Sequence, residues 1–215
     1  MKAVVYEGPK LPLSLQLVAD PTPRKDQMVI KVCRCGICGS DIHMTSGEGA
    51  CYPSHTVQGH EFSGEIVELG SEVKGFAIGD RVSSMGYSGC GNCDWCRRGF
   101  PLWCPQMFGI AGGFAEFTVS TARACVKIPD TLALDQGALI EPVACSYHAL
   151  DLAGDIRGRD VLVLGTGTIG LGAIYWARKR GAKTITASSR SVNSAARALA
   201  VGADTFVPTA ELVQS

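Results

Sequence analysis

Along the first 130 or so residues, apolar and polar positions alternate in short runs, each cut off by Gly or Pro. Period-two alternation bounded by turn residues marks strands with one buried face. It predicts strands over residues 2–7, 28–34, 64–69, 81–84 and 115–119. Near Asp130 the pattern changes, and residues 134–152 carry apolar positions at helical spacing. Pro142 suits a first helical position, where its missing N–H costs nothing, and this sets Glu141 at the mouth of a helix. Val161-Leu162-Val163-Leu164 is a continuous apolar run, the mark of a strand buried on both faces. A helix is predicted over 168–180, a strand over 184–187, a helix over 194–201 and a third strand over 205–207. The fold class predicted is α/β plus β: a β-rich, barrel-like domain over residues 1–150, then over 151–215 the first half of a doubly wound parallel sheet.

The chain has 215 residues, enough to bury a sizeable core. Its 20 Lys and Arg balance 20 Asp and Glu, for a net charge of 0. A neutral chain offers neither nucleic acid nor an anionic membrane a strong long-range attraction, so neither partner is expected. With 46% hydrophobic and 19% charged residues it is not a disordered chain. Its 26 glycines lack a three-residue period, which excludes collagen and points to turns and close backbone approaches. The longest uncharged stretch, residues 161–177, is short for a membrane span and carries Gly165, Gly167, Gly170 and Gly172.

Ten cysteines are many for this length. The N-terminal Met1-Lys2-Ala3-Val4-Val5-Tyr6-Glu7 has no apolar signal core, and the clustering favours metal ligands in a reducing compartment, hence a cytoplasmic location. Cys90-x2-Cys93-x2-Cys96-x7-Cys104 is the strongest signal. Short spacers let three thiolates converge from one loop and a longer arm brings the fourth, as a closed, structural zinc site requires. A zinc-ribbon nucleic-acid module is the other reading, but only Arg97 and Arg98 lie nearby to meet phosphates.

A second constellation joins Cys38-Gly39-Ser40-Asp41-Ile42-His43 to Gly59-His60-Glu61. A catalytic zinc takes three protein ligands and keeps one position open. Cys38 and His60 supply two; Glu61 or Glu141 supplies the third, or alternates with a bound water. Asp41 is placed to accept the His60 ring N–H and fix its tautomer. Ser40 and His43 are polar neighbours able to pass a proton outward. The third motif, Gly165-Thr166-Gly167-Thr168-Ile169-Gly170, follows a predicted strand and opens a predicted helix, the context in which free N–H groups meet a pyrophosphate. An NAD site usually has an acidic residue at the end of the next strand. Here stand Ser189 and Arg190: the serine does not repel a 2′-phosphate and the arginine can pair with it, so NADP(H) is expected over NAD(H). The plainer alternative is that Arg190 is a solvated surface charge.

Together these motifs resemble the zinc-dependent medium-chain alcohol and polyol dehydrogenases, the sorbitol- and threonine-dehydrogenase-like branch included. The most specific stretches are Cys35-Gly36-Ile37-Cys38-Gly39-Ser40-Asp41-Ile42-His43, Gly59-His60-Glu61-Phe62-Ser63-Gly64, the four-cysteine lobe, Gly112-Gly113-Phe114-Ala115-Glu116-Phe117 and Glu141-Pro142. The resemblance implies a GroES-like catalytic domain followed by a Rossmann domain. It implies hydride transfer between a small alcohol, or the matching carbonyl, and a nicotinamide cofactor, with one catalytic and one structural zinc. Cys38, His60, Glu61 and Glu141 fall on the catalytic-zinc positions, Ser40 and His43 on the proton relay, and Cys90, Cys93, Cys96 and Cys104 on the structural lobe. Family members are longer, so the chain is expected to be truncated and the complete protein a homo-oligomer. Two rival readings remain: a zinc-independent quinone or enoyl reductase, and a non-catalytic fragment that keeps only the structural zinc lobe.

Overall fold

The computed structural model describes residues 1–212, which form two compact units meeting between Glu141 and Pro142. In the first, the chain runs through β1 (Lys2–Tyr6), β2 (Ser14–Leu17), β3 (Gln27–Gly36), α1 (Gly39–Thr45), β4 (Thr56–Val57), β5 (Glu61–Leu69), β6 (Arg81–Ser84) and β7 (Tyr87–Ser88). It continues through α2 (Asp94–Arg97), β8 (Phe108–Gly109), β9 (Phe117–Thr121), β10 (Cys125–Lys127) and α3 (Leu134–Gly137). A five-stranded antiparallel sheet has the order β10-β6-β5-β3-β9, and smaller sheets are ordered β2-β1-β4 and β7-β8. Met28 and Ile30 of β3, Phe62 and Ile66 of β5 and Val82 of β6 are fully buried together. Their removal from water is the main driving force for this unit. β5 presses so tightly on β3 that a Cβ at Gly64 would strike the Lys31 carbonyl.

Cross-strand pairing moves two predicted edges. β5 begins at Glu61 rather than at Gly64, because residues 61–63 pair with the end of β3. β9 lies two residues beyond the stretch predicted over 115–119, set by its ladder with Gln27 to Lys31. α1 is an addition to the predicted all-β picture.

The second unit contains most of α4 (Ile140–Leu152), then β11 (Asp160–Leu164), α5 (Thr168–Lys179), β12 (Thr184–Ser189), α6 (Ala195–Ala200), β13 (Thr205–Pro208) and α7 (Thr209–Leu212). The three strands pair in parallel in the order β11-β12-β13, the start of a Rossmann domain. Ile174, Ala177, Ile185, Ala187 and Ala198 are fully buried between helices and sheet. The predicted helical region over 134–152 divides into α3 and α4, and Glu141 lies in the first turn of α4 rather than before it. Pro142 is then the third helical residue, where the N–H is still without an intrahelical partner. The expectation that Val161 to Leu164 is buried on both faces is corrected. β11 is at the margin of its sheet, and Leu162 and Leu164 are 50% and 68% exposed because no described element covers that face. No helix among the described residues is long and apolar enough to cross a membrane.

Candidate functional site

The register of β3 on β5 sets Gly36 opposite Glu61. Cys38 lies just past the end of one strand and His60 just before the start of the other, so antiparallel pairing carries them to the same place. The Cys38 thiol, a His60 ring nitrogen and a Glu61 carboxylate oxygen lie within 4.8 Å of one another, all on half-buried residues. Two glycines keep the room for this. A Cβ at Gly36 would collide with the Glu61 carboxylate, and one at Gly86 would press on the His60 ring from 3.2 Å.

Asp41 stands behind the group, 4% exposed, in the first turn of α1. A carboxylate there is favoured by the unpaired N–H groups of the helix start. Its Oδ2 accepts the Cys38 N–H at 2.9 Å, and its Oδ1 faces His60 Nδ1 at 3.7 Å. The hydrogen bond expected from the His60 ring is therefore a longer approach of 3.7 Å, since Asp41 is held toward the Cys38 backbone. The Tyr52 hydroxyl donates to Asp41 Oδ1 at 3.4 Å and also bonds the Ser40 side chain. Burial first, and then the Asp41 charge, push the Tyr52 phenol above its ordinary range. Sequence reasoning did not single out Tyr52: it comes from a loop, and no spacing ties it to Cys38. Ser40 is half-buried and His43 exposed, three residues apart and so on one face of α1. Glu141, the last residue of the first unit, is not among the groups that converge here.

The sulfurs of Cys90, Cys93, Cys96 and Cys104 also lie within 4.8 Å of one another. Gly91, at φ +79°, turns the chain so that the Asn92 and Cys93 N–H groups both donate to Cys90 Sγ at 3.4 Å. These donors hold the Cys90 thiol down to about 6. The Cys90 and Gln106 N–H groups donate to Cys104 Sγ at 3.3 Å. Cys96 is pushed up to about 11, first by burial. Four soft ligands with no other donor among them suit a closed, structural zinc site. No disulfide joins any of the ten cysteines.

In the second unit the predicted glycine turn joins β11 to α5. Gly165 takes φ +95°, which a side chain would disfavour, and a Cβ at Gly170 would collide with the Gly165 carbonyl. Gly167 caps α5, and a Cβ there would meet nothing within 4 Å, so open space lies in front of the helix N-terminus. Thr168 and Ile169 open the helix and are exposed. These features fit a dinucleotide pyrophosphate. β12 runs on to Ser189, and Arg190 follows it, exposed, with no carboxylate paired to it among the described residues.

Known proteins agree with this geometry. Residues 24–130 match the model of the alcohol dehydrogenase GroES-like domain. A sorbitol dehydrogenase of Halalkalibacterium halodurans is 38% identical over 207 residues, covering 93% of this chain and 60% of that one. An L-threonine 3-dehydrogenase of Pseudoalteromonas atlantica is 39% identical over 172 residues, covering 77% of this chain and 50% of that one. A Sinorhizobium meliloti structure described as a zinc-binding dehydrogenase bound to NADP superposes with a TM-score of 0.89 at 37% identity, over 98% of this chain and 62% of that one. The galactitol-1-phosphate dehydrogenase of Escherichia coli does so with 0.89 at 34% identity, over 98% and 62%. The chain thus spans 60% or less of these two curated relatives. From its GroES-like β-rich unit, its two clusters of metal-binding side chains and its Rossmann start, the chain belongs to the zinc-containing medium-chain dehydrogenase family.

Proposed function

We propose that this chain carries the metal and nucleotide sites of an oxidoreductase that passes hydride between a small alcohol or polyol, or the matching carbonyl, and a nicotinamide cofactor, NADP(H) in preference to NAD(H). Residues 1–150 serve as the catalytic domain and 151–215 as part of the nucleotide-binding domain of a cytoplasmic homo-oligomer. The observation that carries the reading is the convergence of Cys38, His60 and Glu61 at one half-buried point. A thiolate, an imidazole and a carboxylate are three zinc ligands that leave a tetrahedral position for water or substrate. Glu141 remains the alternative carboxylate. Zinc bound there would supply Lewis acidity toward the substrate oxygen.

The chain's own residues do the rest. Asp41 anchors the Cys38 backbone and sets its charge opposite His60 Nδ1. Ser40 Oγ takes the substrate hydroxyl proton as it gives up its own toward the His43 ring, which is exposed and releases a proton to water. Cys90, Cys93, Cys96 and Cys104 hold a second, structural zinc. Gly165, Gly167, Thr168, Ile169 and Gly170 present backbone to the pyrophosphate, while Ser189 and Arg190 read the ribose 2′-phosphate. The NADP(H) preference is supported by the missing acid at the end of β12, by an Arg190 with no carboxylate partner among the described residues, and by the NADP bound to the Sinorhizobium meliloti relative. Relatives named for sorbitol, threonine and galactitol-1-phosphate support a small hydroxylated substrate.

Metal analysis with NADPH and NADH titrations tests the reading. Two zinc ions per chain and tighter NADPH binding are expected. No zinc beyond the four-cysteine lobe, with no cofactor-dependent turnover, would instead favour a non-catalytic fragment. Equal affinity for both cofactors removes the role given to Arg190.

A further inference from the structure

The glycine turn and the loop after β12 are fastened together at two points. The Gly165 N–H donates to the Ser188 carbonyl at 2.8 Å. Thr166 Oγ1 hydrogen-bonds Ser194 Oγ at 2.7 Å, and both residues are 5% exposed. Ser194 Oγ donates in turn to the Ser191 carbonyl at 2.8 Å. Residues 189–193 therefore form a short span, half-buried at Ser189 where β12 ends and exposed from Arg190 to Asn193, whose two ends are both tied to the turn. Ser189 and Arg190 lie within it.

Ser194 ends a 3-10 turn and leads into α6 with helical backbone angles (φ −89°, ψ −7°), so its side chain makes no cap bond and its hydroxyl is committed to Thr166 and Ser191. Thr166 stands out from its surroundings: it is buried while Gly165 and Gly167 on either side are exposed.

We infer that Thr166 and Ser194 are positioning residues for recognition of the cofactor's 2′-phosphate: their buried hydrogen bond sets the distance between the turn that receives the pyrophosphate and the span that presents Arg190. The inference rests on the NADP(H) reading above. A guanidinium grips phosphate through a planar pair of N–H groups, so its grip depends on placement. An exposed span freed at one end would have to be ordered each time the ligand binds, at an entropic cost. Contact with the 5′-phosphate needs only the glycine turn and the start of α5. Loss of the tie should therefore reduce discrimination, not binding as a whole.

The test titrates the 215-residue chain with adenosine 2′,5′-bisphosphate and with 5′-AMP, which probe the adenosine half of the site. The unaltered chain should prefer the bisphosphate. Ser194→Ala and Thr166→Val should each weaken the bisphosphate about tenfold, the worth of one net hydrogen bond, and change 5′-AMP by less than about twofold. The double variant should be no worse than either single one, since all three remove the same bond. Ser194→Thr, which keeps the hydroxyl, should restore the preference. Equal loss on both probes, or no loss on either, overturns the inference while leaving the cofactor reading intact if the unaltered chain still prefers the bisphosphate. An unaltered chain that binds both probes equally overturns the cofactor reading, and the inference with it.

Discussion

Cys35-x2-Cys38 and Cys90-x2-Cys93 share a spacing and meet opposite fates. Between Cys90 and Cys93, Gly91 takes a left-handed turn that folds backbone N–H groups onto the first sulfur and leaves both thiols facing one centre. Between Cys35 and Cys38, Gly36 continues β3, so the chain stays extended. Cys35 then packs against the core of the first unit, close to Gly59 and Gly113, while Cys38 emerges past the strand end as the N-cap of α1. Burial, helped by the Asp41 charge, pushes the Cys35 thiol up to about 12, so it stays protonated and apart from the metal cluster. Two cysteines at this spacing form a chelate only when the backbone between them turns.

The sharpest way to break this contrast is to remove one ligand from each cluster of the complete enzyme. Cys38→Ala should lose one of two zinc ions and all turnover while the melting temperature barely moves. Cys104→Ala should lose the other and unfold at lower temperature, because a structural thiolate site contributes folding energy directly. Metal analysis and thermal melts decide it; a Cys38→Ala enzyme that still holds two zinc ions reverses the assignment. Next in size, Asp41→Asn should weaken zinc at the Cys38 site by about 10–100-fold and leave the lobe untouched, read by competition with a chelator.

A smaller effect separates the two glycines. Gly91→Ala should cost about 1–2 kcal/mol in denaturant unfolding, from its left-handed backbone. Its new Cβ would also press on Arg123 from 2.9 Å. Gly36→Ala should displace Glu61 and lower zinc occupancy at the first site. The smallest effect belongs to Cys35. Cys35→Ala should keep both zinc ions. In the unaltered chain, peptide mapping after alkylation should find Cys35 unreacted at neutral pH, with reactivity rising only as the pH climbs toward about 12 and the thiolate forms.

The same contrast explains what could be read beforehand. The four-cysteine lobe was legible because its ligands share one loop, where spacing alone determines reach. Cys38, His60 and Glu61 were legible as residue types, but their meeting depends on the β3–β5 register, which strand prediction missed by starting β5 three residues late. α1 escaped because it is short and is fastened at its start by the Asp41 carboxylate on the Cys38 N–H rather than by an apolar stripe. Tyr52 escaped because only folding brings its loop to Asp41. Val161 to Leu164 misled because an apolar run says what a strand prefers to touch, not what is there to touch it.

That last strand has a practical consequence. Among the described residues β11 pairs on one side only, leaving a row of backbone hydrogen-bonding groups open beside Leu162 and Leu164, on a chain of zero net charge. Such margins recruit strands from neighbouring molecules, and no Coulomb repulsion keeps the copies apart. For the 215 residues taken alone, association at millimolar concentration is expected to run through this rim, and dilution or a mild detergent to keep the copies dispersed.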